Sequence, residues 1–191
     1  ARTKYMLDKL EPTLYESGYY YNNKFKKQKE HTLHLAALDW ENLCKGQLLS
    51  YDQVVRIYGY MHIDKTKLKS MLKDSMYDMD TLKKHHGLKT NAVWFEAFDA
   101  APRREINYLK QMRRRGEKLN QAPRITLSTI HGAKGGEAEN VVLLTDLSFN
   151  TMKSYEKNPD DENRLFYVGA TRTKEHLHII RPQQDNKGYD L

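Results

Sequence analysis

The sequence predicts an α/β fold, a parallel sheet flanked by helices, interrupted by a helical insertion. Three observations carry that expectation. Val141 to Thr145 is a continuous apolar run, the pattern of a parallel strand covered on both faces. The last third reads strand, strand, helix, strand with short connections, which suits a parallel sheet. Between residues 26 and 120, apolar positions recur almost throughout at helical spacing. The expected divisions are residues 1–25 with 121–182 as the α/β body, 26–120 as the insertion, and 183–191 as a loose polar tail.

Taken in order, Leu7, Leu10 and Leu14 mark a first helix, with Gly18 as its stop and Pro12 as a kink or restart. Tyr19-Tyr20-Tyr21 reads as a short aromatic strand. Leu35, Leu38 and Leu43 mark an amphipathic helix closed by Gly46. Ser50 with Gln53 forms a capping box ahead of Val54, Tyr58 and Met61. Leu68, Met71 and Leu72 mark another helix. Pro102 opens one carrying Ile106, Leu109 and Met112, which Gly116 ends. Trp40, Trp94, Phe95 and Phe98 fall in helical patterns and read as core. Ile125 to Ile130 is a strand, Asn158-Pro159 starts a helix with Leu165 and Val168 on one face, and His176 to Ile180 is the last strand.

The chain has 191 residues and a net charge of +7, Lys+Arg exceeding Asp+Glu by 32 to 25. That excess fits a polyanionic partner such as nucleic acid, and equally a surface tuned for solubility. The single cysteine, Cys44, excludes an internal disulfide and any all-cysteine metal site, and reads as a small buried hydrophobe on a helix. No apolar run approaches a membrane span and no signal-peptide pattern opens the chain, so the reading is of no membrane partner and a cytosolic setting. Ala1 enters in mid-element, which suggests a piece of a longer protein. His85-His86 lacks any carboxylate–histidine spacing, so no metal is expected and both read as exposed. Arg113-Arg114-Arg115, with Lys118 and Arg124, forms a basic cluster at a helix end. It either complements the helix dipole or touches nucleic-acid phosphate.

The chemistry concentrates in Ser128 to Leu147, STIHGAKGGEAENVVLLTDL. A phosphate-binding loop would read G-x-x-x-x-G-K-[ST] with lysine opening a helix. Here Lys134 precedes Gly135 and Gly136, and an apolar strand follows. His131, Lys134 and Glu137 are expected to leave the carboxyl end of a strand, where open parallel sheets bind ligands. Gly132, Gly135 and Gly136 permit close approach of another molecule. The alternative is a solvated surface turn. Further on, Arg172 follows Leu165 by seven residues and shares its helix face. An arginine on an apolar face needs an anion or a carboxylate partner.

The two stretches together resemble the C-terminal motor domain of superfamily 1 helicases of the UvrD/Rep/PcrA type. Those proteins carry a motif similar to T-x-H-x-A-K-G-x-E, standing here as Thr129 to Glu137, and one similar to Y-V-G-x-T-R-[AT], standing here as Tyr167 to Thr173. Ala1-Arg2-Thr3 more loosely resembles the family's short arginine motif. The resemblance implies a RecA-like parallel sheet of the P-loop NTPase type that lacks the P-loop itself. It implies that Arg172 and Arg2 reach the terminal phosphate of ATP, as arginine fingers do. Glu137 would accept a hydrogen bond from the ribose, with Gly135 on the same ATP-facing loop, and Thr129 and His131 would touch single-stranded DNA. ATP and Mg2+ would be held mainly by an N-terminal motor domain, which is the implied partner. The full-length protein would then be an ATP-dependent DNA helicase in a bacterial or host-cell cytoplasm, the present chain being inactive alone. Translocation from 3′ to 5′ is implied only by the resemblance.

The sequence departs from the family pattern at three positions. Gly136 replaces a large apolar residue, Ala138 an aromatic, and Ala1 a tyrosine that stacks on adenine. The insertion is also short, as in compact or viral relatives. Two rival readings stay open, a non-enzymatic nucleic-acid-binding module with a decayed motor fold and the motor part of a recombination helicase–nuclease.

Overall fold

The computed structural model describes residues 1–26, 32–182 and 188–189. It divides into two compact units, Ala1–Gln28 with Pro123–Leu191, and Lys29–Ala122. Helix α1 (Lys4–Glu16) and strand β1 (Tyr21–Asn23) open the first unit. The second holds α2 (Thr32–Cys44), β2 (Leu49–Ser50), α3 (Tyr51–Tyr58), β3 (Met76–Tyr77), α4 (Met79–His85), α5 (Trp94–Ala97) and α6 (Arg103–Arg114). The chain then returns to the first unit with β4 (Ile125–Leu127), β5 (Ala138–Leu144), α7 (Phe149–Lys157), α8 (Pro159–Ala170) and β6 (Thr173–Ile180).

In the first unit α1 runs as one helix through Pro12, so it does not restart there. A proline inside a helix deletes one backbone hydrogen bond, and here the others on both sides persist. Gly18, at φ 71°, ends the helix, with Tyr19 N–H donating to Leu14 O at 3.0 Å. Of the tyrosine run only Tyr21 enters β1, while Tyr20 turns inward and is buried.

The expected parallel pairing is present, in two separate ladders. β1 pairs with β4, Tyr21 opposite Ile125, and β5 pairs with β6, Val142 opposite His178. β4 is three residues long and stops at Leu127, short of the expected Ile130. β5 is not covered on both faces, because Val142 is 59% exposed. Its covered face carries Leu143, which forms a core with Ile130, Leu147 and Phe166. Asn158 caps α8 as expected, accepting from Asp160 N–H at 3.4 Å, and Pro159 occupies the first turn. Tyr189, in the segment expected to be loose, stacks on Phe166 at 4.1 Å and donates its N–H to Thr145 O at 2.8 Å. The other tail residues, 183–187 and 190–191, lie outside the described residues.

In the helical unit, only Leu43 of the three leucines expected to mark the inner face of α2 is buried. Leu33, Ala36, Ala37, Trp40 and Leu43 are inside, while Leu35 is 44% and Leu38 40% exposed. The two alanines let neighbouring elements approach closely enough to seat Trp40, whose indole N–H donates to Ala92 O at 2.9 Å. Cys44, one residue past Leu43 on the helix, is exposed rather than buried. The capping box forms, Ser50 N–H donating to Gln53 Oε1 at 2.9 Å. The helix expected around Leu68 is a 3₁₀ helix over residues 65–70; Met71 just after it is buried and Leu72 lies outside the core. α6 buries Ile106, Leu109 and Met112, and Gly116 follows at φ 71°. His86 is buried edge-on against Tyr77 at 5.4 Å, contrary to the exposed reading. Arg113 pairs with Glu41 at 2.5 Å and stacks on Trp94, so the first arginine of the basic cluster is structural.

Candidate functional site

The site is built where β4 gives way to the loop Ser128–Glu137. Thr129 is buried, and its hydroxyl accepts from Gly132 N–H at 3.1 Å. Its carbonyl accepts from Ala133 N–H at 3.0 Å, and the 3₁₀ turn His131–Ala133 is made by Ala133 N–H to Ile130 O at 3.1 Å and Lys134 N–H to His131 O at 3.2 Å. Gly135 then reverses the chain at φ 80°, a conformation that costs a side-chain-bearing residue strain. Gly132 answers a different need. A Cβ there would stand 2.8 Å from Ser128 Oγ and 3.0 Å from Phe25 Cζ. Ala1 lies alongside, donating to Ser128 O at 3.2 Å and accepting from Ile130 N–H at 2.9 Å.

The loop ends by joining the second motif. Ala138 N–H donates to Arg172 O at 3.0 Å, and Ala138 lies opposite Thr173 in the β5–β6 ladder. Glu137 and Arg172 therefore precede two paired positions. Both stand at the amino ends of β5 and β6, whereas the sequence predicts Glu137 at the carboxyl end of the preceding strand. The reason is that the loop turns back after leaving β4. Gly169 sets the packing behind this junction. A Cβ there would lie 3.1 Å from Leu143 Cδ1 and 3.4 Å from Ile130, so a small residue seats α8 against β5.

Arg172 folds back on the end of α8, Nε donating to Val168 O at 3.0 Å and Nη2 to Thr171 Oγ1 at 3.2 Å. Among the described residues no carboxylate pairs with it. Glu137 faces solvent and, among the described residues, pairs with Lys174 at 3.7 Å, a weak exposed pair. Thr129, Ala133, Gly136, Glu137, Gly169 and Arg172 line one cleft of about 310 Å³. An anionic, hydroxyl-bearing ligand suits it, since it offers a cation without a counter-ion and a carboxylate acceptor on one rim.

Thus three sequence-predicted residues, Thr129, Glu137 and Arg172, share a cleft. His131 is exposed on the same loop and does not line it, and neither does Gly135. Arg2 is elsewhere engaged: Nε and Nη2 both donate to the Glu162 carboxylate at 2.8 Å. The Glu162 side chain is only 7% exposed, so Arg2 neutralises a buried charge. Sequence reading missed Glu162, one of three acids in the first turn of α8, and Lys24, whose Nζ donates to Gly132 O at 3.2 Å. Nothing in the sequence distinguishes either from its charged neighbours.

Among the described residues no group of three or more His, Cys, Asp or Glu side chains is placed to hold a metal ion, and no helix is long and apolar enough to cross a membrane. No curated protein and no solved structure gives a significant match to the chain. The model of the UvrD-like helicase C-terminal domain matches residues 20–184, which include both motifs and exclude Arg2. With both motifs inside that span and joined backbone to backbone in the fold, the chain belongs to the family of UvrD-like helicase C-terminal domains.

Proposed function

We propose that this chain is the C-terminal motor half of an ATP-dependent DNA helicase, with a RecA-like body of which the two parallel ladders are the visible part. The reading is carried by Arg172, a guanidinium on the cleft whose bonds go to a backbone carbonyl and a hydroxyl, leaving its charge uncompensated. In this reading Arg172 meets the terminal phosphate of ATP presented by an N-terminal motor domain and stabilises charge developing there. Glu137 accepts from the ribose and Gly135 shapes the loop beside it. Thr129 and His131 meet single-stranded DNA. ATP is the group bound when the two halves close, with Mg2+ held mainly by the other half. Arg2 is better read as the partner of Glu162 than as a second phosphate contact.

The test is Arg172→Ala in the protein carrying both motor domains. ATP turnover should fall by about a thousandfold or more, while the melting temperature stays near that of the parent. Arg172→Lys should fail too, because an ammonium lacks the planar fork. Near-normal turnover in either variant overturns the reading and favours a module that binds nucleic acid without hydrolysis. The isolated chain should release no phosphate from ATP.

A further inference from the structure

Phe25 is 38% exposed in the turn that follows β1, and its position is fixed from three sides. Its N–H donates to Asn23 Oδ1 at 3.0 Å, and Asn23 is buried with its amide on Glu11 at 3.2 Å. The ring edge reaches the Ser128–Glu137 loop so closely that Gly132 has no room for a Cβ. Lys4 Nζ sits 4.4 Å over the ring, and Lys24 Nζ lies on Gly132 O at 3.2 Å. Among the described residues neither lysine pairs with a carboxylate. The nearby acids Asp8 and Glu11 are instead taken by Lys26. An exposed aromatic ring with one uncompensated cation over its face and a second on the adjoining Gly132 carbonyl therefore borders the loop that carries Thr129 and His131.

We propose that Phe25, Lys4 and Lys24 form a stacking subsite for one base of a single-stranded nucleic acid, adjoining the loop. The inference rests on the reading that this loop grips DNA, and extends the grip by one nucleotide. A base takes the ring face that Lys4 now covers, and the two ammonium groups meet the flanking phosphates. Base–aromatic stacking tolerates any sequence, as a translocating grip requires. An acidic peptide could pair with the lysines but has no use for the ring, so the ring favours nucleic acid. Because Gly132 and Phe25 touch, a shift of the loop carries the stacked base with it.

The experiment measures binding of the chain to oligothymidylate, to oligouridylate and to an abasic oligonucleotide of the same length. Phe25→Ala and Phe25→Leu should each weaken both base-bearing ligands by about tenfold or more, with little change for the abasic one. Phe25→Trp should retain affinity, and its added fluorescence should be quenched on binding. Lys4→Ala or Lys24→Ala should reduce the salt dependence by about 0.7 in log–log slope for each phosphate that the variant no longer neutralises. Equal losses on the base-bearing and abasic ligands, or no loss from Phe25→Leu, overturn the proposal. His131→Ala separates the two ideas. If it weakens binding while Phe25→Leu does not, the loop reading stands and the subsite fails. If only the Phe25 variants act, the subsite stands and the loop reading fails. Absence of binding by the parent chain, or preference for a polyglutamate peptide, overturns both.

Discussion

The amide of Ala138 donates to the carbonyl of Arg172 at 3.0 Å, tying the residue after Glu137 to the arginine of the second motif. The bond is the first rung of the β5–β6 ladder, so Glu137 and Arg172 stand on one backbone unit at the rim of the cleft. A nucleotide that engages Glu137 and Arg172 together should rigidify that rung. In the two-motor protein, amide exchange at Ala138 should slow by about tenfold or more when a non-hydrolysable ATP analogue binds, since exchange reports local opening. The Arg172→Ala variant should lose that protection while retaining its basal rate. Unchanged exchange in the parent protein on nucleotide binding would mean that the two motifs do not respond to ATP as a unit.

Arg2 and Glu162 make a second test, because the family resemblance and the geometry assign Arg2 different roles. Removing one member of a buried pair leaves the other charge uncompensated and costs about 3 kcal/mol. Arg2→Ala should therefore lower stability to chemical denaturation by roughly that amount. The Arg2→Met, Glu162→Leu double variant should recover most of it, since a well-packed apolar pair can replace a buried ion pair. ATP turnover per folded molecule should fall far less in Arg2→Ala than in Arg172→Ala. Equal losses of turnover would return Arg2 to the phosphate.

Gly169 belongs to the second motif, lines the cleft and seats α8 against β5. Alanine favours a helix over glycine by about 1 kcal/mol, whereas overpacking a filled core costs about 1–3 kcal/mol. Leu143 and Ile130, which an added methyl group would press, are both buried in the same core. Gly169→Ala should therefore be destabilising by about 1 kcal/mol net, and Gly169→Val clearly more, in equilibrium unfolding. A stabilised Gly169→Ala would show that α8 has room to move away from β5.

What the sequence reveals and what it hides divide along the range of the interactions. Ser50 with Gln53, Asn158-Pro159 and Gly116 act on their own turns, and each does what its type suggests. The buried face of α2 is not legible in the leucine pattern, because burial there follows Trp40 and two alanines, and only the neighbours settle which face turns inward. His86 and Cys44 exchange their expected exposures for the same reason. In the site, Thr129, Glu137 and Arg172 are legible as members of two motifs. The engagement of Arg2 is not, because Glu162 is 160 positions away and one acid among several. The turn-back of the loop is hidden too, since Gly135 signals a reversal without giving its direction.

His131 is exposed on the 3₁₀ turn, while Glu137 lines the cleft six positions later, with Gly135 between them. If the first meets DNA and the second nucleotide, their losses should fall on different parameters. His131→Ala should weaken single-stranded DNA binding and blunt DNA stimulation, with basal hydrolysis little changed. Glu137→Ala should chiefly raise the KM for ATP by about tenfold, because a ribose contact is much the same in ground and transition states. Gly135→Ala should uncouple the two. Strain at φ 80° costs about 1–2 kcal/mol and shifts the turn that spaces one contact from the other. Titrations of ATP and oligonucleotide against the three variants of the two-motor protein measure all of these. A His131→Ala protein with parental DNA affinity and stimulation would leave the loop without a grip to transmit.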